Sequence, residues 1–163
     1  MPSEAKISEV KEEVTELHQK SKSAEDFMSA VVKLLHDRML KYNWVGFYMI
    51  EDPAAGKNAT LALGHFKGAM TPHTRISLHQ GICGAAASTG KTVVVDDVSK
   101  DPRYLACSLE TKSEIVVPVF VRGRVVGELD IDSHFPAAFK PEDQDLVEYC
   151  ARLTGRFLEK PKA

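Results

Sequence analysis

A thiol and three carboxylates that could work together fall between residues 107 and 132. They are Cys107, Glu114, Asp130 and Asp132, spread over a polar loop and two apolar segments that predict a β-hairpin. Side chains two apart on a strand share a face, so Asp130 and Asp132 point the same way. Carboxylates gathered on one face raise at least one pKa among them. Such a group binds an ammonium ion and keeps one acid protonated near neutral pH.

The register of this hairpin decides whether Glu114 joins the two Asp residues. A three-residue loop with a bulge, its glycine in the left-handed position, pairs Phe120 with Arg124 and sets Glu114 opposite Asp130. A two-residue loop shifts the pairing by one and sends Glu114 to the other face. Because that shorter loop requires a positive φ at Arg122, the sequence favours the bulged register. A solvated sheet edge with salt-bridged acids is the alternative interpretation.

Composition excludes several classes of function. A chain of 163 residues with 44% hydrophobic and 27% charged residues predicts one ordinary globular domain. A net charge of −2 without a basic run argues against nucleic-acid or anionic-membrane surfaces. No apolar run of membrane-spanning length and no secretory h-region is present. Three cysteines without a CxxC pair favour a reducing compartment, so the expected location is the cytoplasm.

Two amphipathic helices are predicted before the first strand. Residues 4–20 carry apolar side chains at helical spacing, and Ser23 with Asp26 predicts a cap that opens a helix to about Lys41. Two such helices present more apolar surface than one sheet face needs. Residues 1–22 are therefore predicted as an N-terminal helix and a candidate dimer contact, with packing inside the chain as the equal alternative. Residues 23–163 are predicted as a single domain.

The rest of the chain predicts an α+β fold. The predicted strands cover residues 43–50, 60–65, 75–78, 92–95 and the hairpin, and helices follow Gly81 and Pro141. The pattern indicates a central antiparallel sheet of about six strands, with the N- and C-terminal helices packed on one face. A polar loop of about 18 residues, 96–113, is long for a compact domain. It therefore predicts a functional segment around Cys107.

Two further cysteines and two aromatic residues admit competing interpretations. Cys83 falls in the first turn of a predicted helix, where the helix dipole would stabilise a thiolate. Taken alone, the position favours the other interpretation, a buried thiol acting as a small hydrophobe. Cys150 follows the apolar spacing of the last helix and is predicted to pack. Trp44 and Tyr48 lie four apart on one strand face, as core aromatics usually do.

Several motifs in order resemble the free methionine-(R)-sulfoxide reductases, which belong to the GAF-domain superfamily. They are Asn43-Trp-Val-Gly-Phe-Tyr48, Gly81-Ile-Cys-Gly84, Ala106-Cys107, Ser113-Glu-Ile-Val-Val-Pro118 and Gly127-Glu-Leu-Asp-Ile-Asp-Ser133. The similarity covers nearly the whole chain after about residue 20. A GAF domain that only binds a ligand has no need of the thiol, the Glu and the Asp-x-Asp together.

The resemblance implies an activity and a role for each matching residue. The activity is thiol-dependent reduction of free L-methionine-(R)-sulfoxide through a sulfenic acid, without a cofactor, in a cytoplasmic homodimer supplied by a thioredoxin-like reductant. The resemblance implies that Cys107 is the catalytic cysteine and that Cys83 is a second active-site cysteine. It implies that the carboxylates of Glu114, Asp130 and Asp132 hold the amino group and assist the chemistry. It also implies that Trp44 and Tyr48 form an aromatic wall. Cys83 or an external thiol would resolve the sulfenic acid.

The chain departs from this family pattern at two places. His73 stands where members often carry a further, resolving cysteine, and Asp101–Ala106 differs from the usual loop before Cys107. The alternative hypothesis is therefore a non-catalytic GAF sensor that binds a small ligand. A metal centre is not expected, because the six His residues show no ligand spacing with Cys or acids.

Overall fold

The computed structural model describes residues 2–51, 58–104 and 110–159, with side chains from residue 6 onward. Cys107 lies outside the described residues. The helices in these ranges are α1 (Pro2–Lys20), α2 (Ala24–Arg38), α3 (Gly81–Thr89) and α4 (Pro141–Glu159), and a 3-10 turn covers Val98–Lys100. The strands are β1 (Trp44–Glu51), β2 (Thr60–Lys67), β3 (Arg75–Ser77), β4 (Val93–Val95), β5 (Ser113–Val121) and β6 (Arg124–Ser133).

The six strands form one antiparallel sheet in the order β3-β2-β1-β6-β5-β4. The α+β class and the six-stranded sheet predicted from the sequence are confirmed. β6 lies in the middle, paired with β1 on one side and β5 on the other. Residues of β6 therefore have neighbours on both sides, which is why acids there can be buried.

One face of the sheet packs against α2 and α4, on which α1 lies, and forms the larger core. Alternate strand residues such as Val45, Phe47 and Leu129 point to this side. The apolar side chains Ile7 and Val10 of α1 are buried in the same core, so this helix packs within the chain. No helix in the described ranges combines the length and the apolar character needed to cross a membrane.

The predicted cap of the second helix is present. The Ser23 hydroxyl accepts a hydrogen bond from the Asp26 backbone N–H at 3.0 Å and so satisfies one of the free donors of the first turn. The helix ends at Arg38, a few residues before the predicted Lys41. Strand β1 begins at Trp44, close to its predicted start, which places Trp44 and Tyr48 on the face opposite the larger core.

α3 packs on that second face over a smaller apolar cluster. The cluster contains Ile82, Cys83 and Ala86 from α3, together with Trp44 and Val116 from the strands. β5 and β6 thus contribute alternate residues to the two sides of the sheet, and their acids lie under α3.

The β5–β6 turn differs from the predicted one. The turn is the two-residue loop that the sequence disfavours, with Arg122 at φ 52° and Gly123 at φ 78°. As a result, Val121 rather than Phe120 pairs with Arg124. A β-bulge between Val119 and Phe120 then shifts the register by one residue. The shorter loop and the bulge each shift the pairing by one residue in the same direction, so Glu114 pairs two residues further along β6 than predicted and still faces the acid side.

Candidate active site

Four acids converge on the sheet face beneath α3. Glu128, Asp130 and Asp132 alternate along β6, and Glu114 of β5 pairs directly with Asp132, not with Asp130 as predicted. These four residues are only 0–5% exposed to solvent. Glu128 was missed in the sequence argument, although strand alternation from Asp130 and Asp132 would have found it.

Burial dominates the electrostatics of these four carboxyls. It raises the pKa of Glu114 well above its usual value, and the charges of Asp130 and Asp132 raise it further. Burial, followed by the charge of Asp130, likewise raises the pKa of Glu128 and of Asp132 well above normal. The pKa of Asp130 is also raised by burial, but hydrogen bonds from Glu114 and Cys83 offset this. Among the four, Asp130 is therefore the carboxyl whose pKa is raised least.

Cys83 lies against this group as a neutral thiol. Its Sγ donates a hydrogen bond to Asp130 Oδ2 at 3.4 Å, and its side chain is buried. Burial raises the pKa of Cys83 well above its usual value, and the charges of Asp130 and Glu128 add to the effect. Of the two interpretations drawn from the sequence, the buried thiol agrees with this arrangement and the dipole-stabilised thiolate does not, because desolvation and the neighbouring acids outweigh the dipole.

Trp44 and Tyr48 form one wall beside the carboxyls. Their ring centroids are 6.2 Å apart, and Trp44 stacks on Phe66 at 5.7 Å. Gly46 lies between them on β1, where any Cβ would overlap the Trp44 ring. A glycine at this position therefore lets the indole lie flat over the strand.

Both aromatic side chains are tied to the loop that follows β2. Trp44 Nε1 donates to the Ala69 carbonyl at 3.0 Å, and the Tyr48 hydroxyl donates to the His73 carbonyl at 2.7 Å. His73, the residue at the position of the family's further cysteine, is thereby held by its backbone next to the wall.

A cavity of about 210 Å³ lies between this wall and the acids. It is lined by His36, Asn43, Trp44, Tyr48, Gly68, Ala69, Met70, Thr71, Thr111, Asp130, Asp132 and His134. One oxygen each of Asp130 and Asp132 is buried without a hydrogen-bond partner among the described residues. Unpaired carboxylate oxygens beside an aromatic wall form a site for a small molecule that carries an ammonium group.

Two other features bear on what the site can bind. Cys83, Glu114 and Asp130 each have one potential ligand atom within 4.8 Å of the others. Within the described ranges, this is the one group of three with the spacing of metal ligands. A larger groove of about 620 Å³ lies elsewhere, between α4 and the end of β5, and Lys91, Arg152 and Glu148 are among its lining residues. That groove has none of the four buried acids in its lining, whereas Asp130 and Asp132 line the smaller cavity.

The third cysteine plays no part in this site. Cys150 is fully buried among the side chains of the larger core on α4, as the sequence predicts. Burial raises its pKa to about 12, which makes the thiol inert. Cys107 and its immediate neighbours lie outside the described residues. Tyr104 and Glu110, the described residues on either side of them, both belong to the loop between β4 and β5.

Comparison with known proteins agrees with this arrangement. Residues 23–158 match the GAF domain family. The chain is 37% identical over 121 residues to the free methionine-R-sulfoxide reductase of Escherichia coli, an alignment that covers 74% of this chain and 69% of that protein. The chain belongs to this family of GAF-domain reductases.

Two further relatives place the chain within the family. It is 41% identical over 115 residues to the free methionine-R-sulfoxide reductase of Saccharomyces cerevisiae, over 70% of this chain. The matched region spans only 62% of the yeast protein's length. The free methionine-R-sulfoxide reductase of Neisseria meningitidis, solved in complex with its substrate, superposes with a TM-score of 0.85 at 32% identity, covering 94% of this chain and 88% of that one.

Proposed function

We propose that this protein reduces free L-methionine-(R)-sulfoxide to methionine. The observation that carries the proposal is the pair of unpartnered carboxyl oxygens of Asp130 and Asp132 beside a cavity walled by Trp44 and Tyr48. A free amino acid has an ammonium group that can pair with these oxygens, whereas a methionine within a peptide has none. The reductases of E. coli and yeast carry the same activity in their names.

The acids divide into one anion and several proton donors. Asp130, whose pKa is raised least because Glu114 and Cys83 donate to it, is the anion that binds the ammonium group. Asp132 lines the cavity and stays protonated, since burial and the charge of Asp130 raise its pKa. Glu114 keeps its own proton and orients both Asp side chains from the adjacent strand. Trp44 and Tyr48 hold the apolar S-methyl end.

The first step transfers oxygen from substrate sulfur to cysteine sulfur. The Cys107 thiolate attacks the sulfoxide sulfur while Asp132 protonates the sulfoxide oxygen, which makes that oxygen easier to transfer. The substrate sulfur gains two electrons and leaves as methionine, and Cys107 becomes a sulfenic acid. Cys107 releases its thiol proton to solvent when it ionises, and Asp132 takes one proton back from solvent after the transfer, so the carboxyl ends as it began. General acid assistance of this kind contributes about 10²–10⁴-fold.

The second step removes the sulfenic acid. A thiol, either Cys83 or an external one, attacks the Cys107 sulfur, and a disulfide and water are formed. A thioredoxin-like dithiol then restores both cysteines by exchange. This cycle needs no cofactor and requires a reducing compartment, for which the cytoplasm is our expectation.

A non-catalytic sensor is the rival function, and one observation favours it. Cys83, the one thiol that the structure describes beside the acids, is buried and neutral, which makes it slow to react. His73 also stands where the family often carries a resolving cysteine. A sensor would bind its ligand equally well without Cys107, whereas a reductase would lose turnover.

Turnover with purified substrates tests the proposal. We expect methionine release from free Met-(R)-sulfoxide with dithiothreitol or thioredoxin, and little release from the (S) epimer or a peptide substrate. Cys107→Ser should abolish release, and Asp132→Asn should lower kcat about 10²-fold or more. Cys150→Ala is the control and should turn over like the wild type. Absence of turnover, or full activity in Cys107→Ser, would reject the proposal.

The homodimer stays a prediction. Because the apolar face of α1 is buried within the chain, a dimer would have to use other residues, and Leu40, 82% exposed, is one apolar candidate. Sedimentation of the wild type and of Leu40→Lys would test this; a monomer at micromolar concentration would reject it.

A further inference from the structure

One part of the proposed substrate, its carboxylate, still lacks a partner in the cavity. The ammonium group is assigned to the oxygens of Asp130 and Asp132, and the S-methyl end to Trp44 and Tyr48. An ammonium group alone does not single out the free amino acid, because a peptide that begins with methionine sulfoxide carries the same group. Selection of the free amino acid therefore needs a second contact, at the carboxylate.

Charge limits where this carboxylate can lie. Beside Asp130, the anion of the site, it would meet like charge, which is unfavourable. Among the described residues that line the cavity, His36 and His134 have the side chains that can carry a positive charge, and no described lysine or arginine is part of this lining. A histidine is therefore the expected partner of the carboxylate.

His134 is the histidine that the fold aligns with the acids. It comes directly after the last residue of β6 and follows Asp130 and Asp132 at intervals of two, and all three line the cavity. Side chains at this interval on a strand lie about 6.6 Å apart. Because the ammonium and carboxylate groups of an amino acid are attached to one carbon, a ligand can bridge the step from Asp132 to His134 with a hydrogen bond at each end.

Asn43 supplies a second donor next to His134. Its backbone N–H donates to the Asp132 carbonyl at 3.0 Å, and its Oδ1 accepts a hydrogen bond from the His134 backbone N–H at 2.7 Å. The contact at Oδ1 fixes which way the side-chain amide is turned, so its NH₂ group is left to donate elsewhere. This NH₂ group makes no hydrogen bond with a described residue, and Asn43 lines the cavity.

The ring of His134 has one nitrogen engaged outside the cavity. Its Nδ1 lies 3.5 Å from Oε2 of Glu110, which is not among the described residues that line the cavity. In the imidazolium form the N–H at Nδ1 is directed to this carboxylate. The N–H at Nε2 is then the donor that remains for a ligand.

We propose that His134 and Asn43 bind the carboxylate of the free amino acid, so that the site rejects methionine sulfoxide at the start of a peptide. The inference rests on the proposed function for the identity of the substrate. Both side chains donate to an anion, and such hydrogen bonds are stronger than those between neutral groups.

Binding of L-methionine and of L-methioninamide tests the proposal without turnover. The two molecules share the ammonium group and the thioether, but methioninamide has no carboxylate. We expect calorimetry to show that the wild type binds methionine at least about tenfold more tightly, because methioninamide loses hydrogen bonds that involve a charged group.

Two substitutions remove the proposed donors one at a time. His134→Leu should weaken methionine binding about tenfold and change methioninamide binding less than about twofold. Asn43→Asp keeps an oxygen that accepts from the His134 backbone N–H but replaces the NH₂ group with a negative charge. It should weaken methionine binding at least as much, and it should bind the cationic methioninamide at least as tightly as the wild type does.

His79→Leu is the matched control, because His79 is exposed and lies outside the cavity lining. It should bind both ligands as the wild type does. His36→Leu tests the other histidine of the lining in the same way.

A loss of affinity that falls on methionine and spares methioninamide in both His134→Leu and Asn43→Asp supports the proposal. Equal losses for the two ligands, a methionine-specific loss in His36→Leu but none in His134→Leu, or no binding of either ligand by the wild type would overturn it. Turnover of free Met-(R)-sulfoxide together with equal binding of the two ligands would overturn this inference and leave the reductase function intact. Carboxylate-dependent binding in a protein that releases no methionine from the sulfoxide would reject the reductase function and leave the binding site standing.

Discussion

Glu114 of β5 lies directly opposite Asp132 of β6, and both side chains are buried under α3. Asp130 sits two residues along the same face, so the three carboxyls share one dry space. Because they cannot all ionise there, the group holds more protons at neutral pH than the same residues would in water. The proposed acid chemistry follows from this pairing.

The first prediction concerns stability as a function of pH. The folded-state pKa values of Glu114, Glu128 and Asp132 are all raised by burial, whereas in the unfolded chain they are about 4. Above pH 4 the folded state therefore binds more protons than the unfolded state, and the free energy of unfolding falls as pH rises. Each group contributes at most about 1.4 kcal/mol per pH unit until its folded pKa is passed.

Urea unfolding between pH 5 and pH 9 measures this slope. Glu128→Gln, which cannot ionise, should have a shallower slope and a stability advantage that grows with pH. Glu51 is the control: its pKa is lowered, chiefly by the hydrogen bond from Arg75, so Glu51→Gln should leave the slope above pH 5 unchanged. A stability that rises between pH 5 and 9 would contradict the burial argument.

The second prediction concerns the wall of the cavity. Tyr48→Phe removes the hydrogen bond that ties the strand to the His73 carbonyl at 2.7 Å. A lost hydrogen bond of this type costs about 1 kcal/mol, so KM should rise about fivefold with a smaller change in kcat. Steady-state kinetics with free Met-(R)-sulfoxide measure both.

Tyr42→Phe is the matched control for this change. Its hydroxyl donates to Asp143 in the larger core, away from the cavity lining. It should lose stability without a rise in KM. Equal KM effects in the two variants would show that Tyr48 acts only through the stability of the fold.

The third prediction concerns metal ions. The Cys83, Glu114 and Asp130 ligand atoms lie close enough together to hold Zn²⁺, which takes thiolate and carboxylate ligands. Zn²⁺ would bind the carboxylate of Asp130, which we propose pairs with the substrate ammonium group. It should therefore inhibit turnover competitively, and a chelator should restore the rate.

Cys83→Ser should weaken zinc binding about tenfold or more, as measured by calorimetry, because it removes the sulfur ligand. Cys150→Ala should bind zinc as tightly as the wild type. Inhibition that is non-competitive, or unchanged binding in Cys83→Ser, would locate the metal elsewhere.

The sequence predicted the face of Glu114 better than it predicted the turn. Strand alternation located Asp130 and Asp132 correctly, because period two is a local property of the backbone. The predicted three-residue loop was wrong because Arg122 adopts a positive φ. Local propensity argues against this conformation, but the twist of the two strands favours it. The bulge that returns Glu114 to the acid face has no signal in the turn residues themselves.

Burial explains the other differences. The first-turn position of Cys83 was predicted correctly. Its thiol stays neutral because it is buried next to the charges of Asp130 and Glu128. The spacing of residues along the chain does not reveal these neighbours. Strand alternation puts Glu128 on the acid face as well, but its burial does not show in the spacing. An acid in a Gly-Glu-Leu sequence is ordinary until β1 and β5 are known to flank it.

We propose that the sulfur of Cys107 enters this acid-lined cavity and takes the oxygen of the substrate. Intact mass after one equivalent of free Met-(R)-sulfoxide, without reductant, tests it most directly. We expect one equivalent of methionine, a loss of two mass units in the wild type, and in Cys83→Ser a sulfenic acid at Cys107 in place of the bridge. Methionine release by the Cys107→Ser variant would contradict this role of Cys107. So would a wild-type protein whose mass stays unchanged and whose substrate is not consumed.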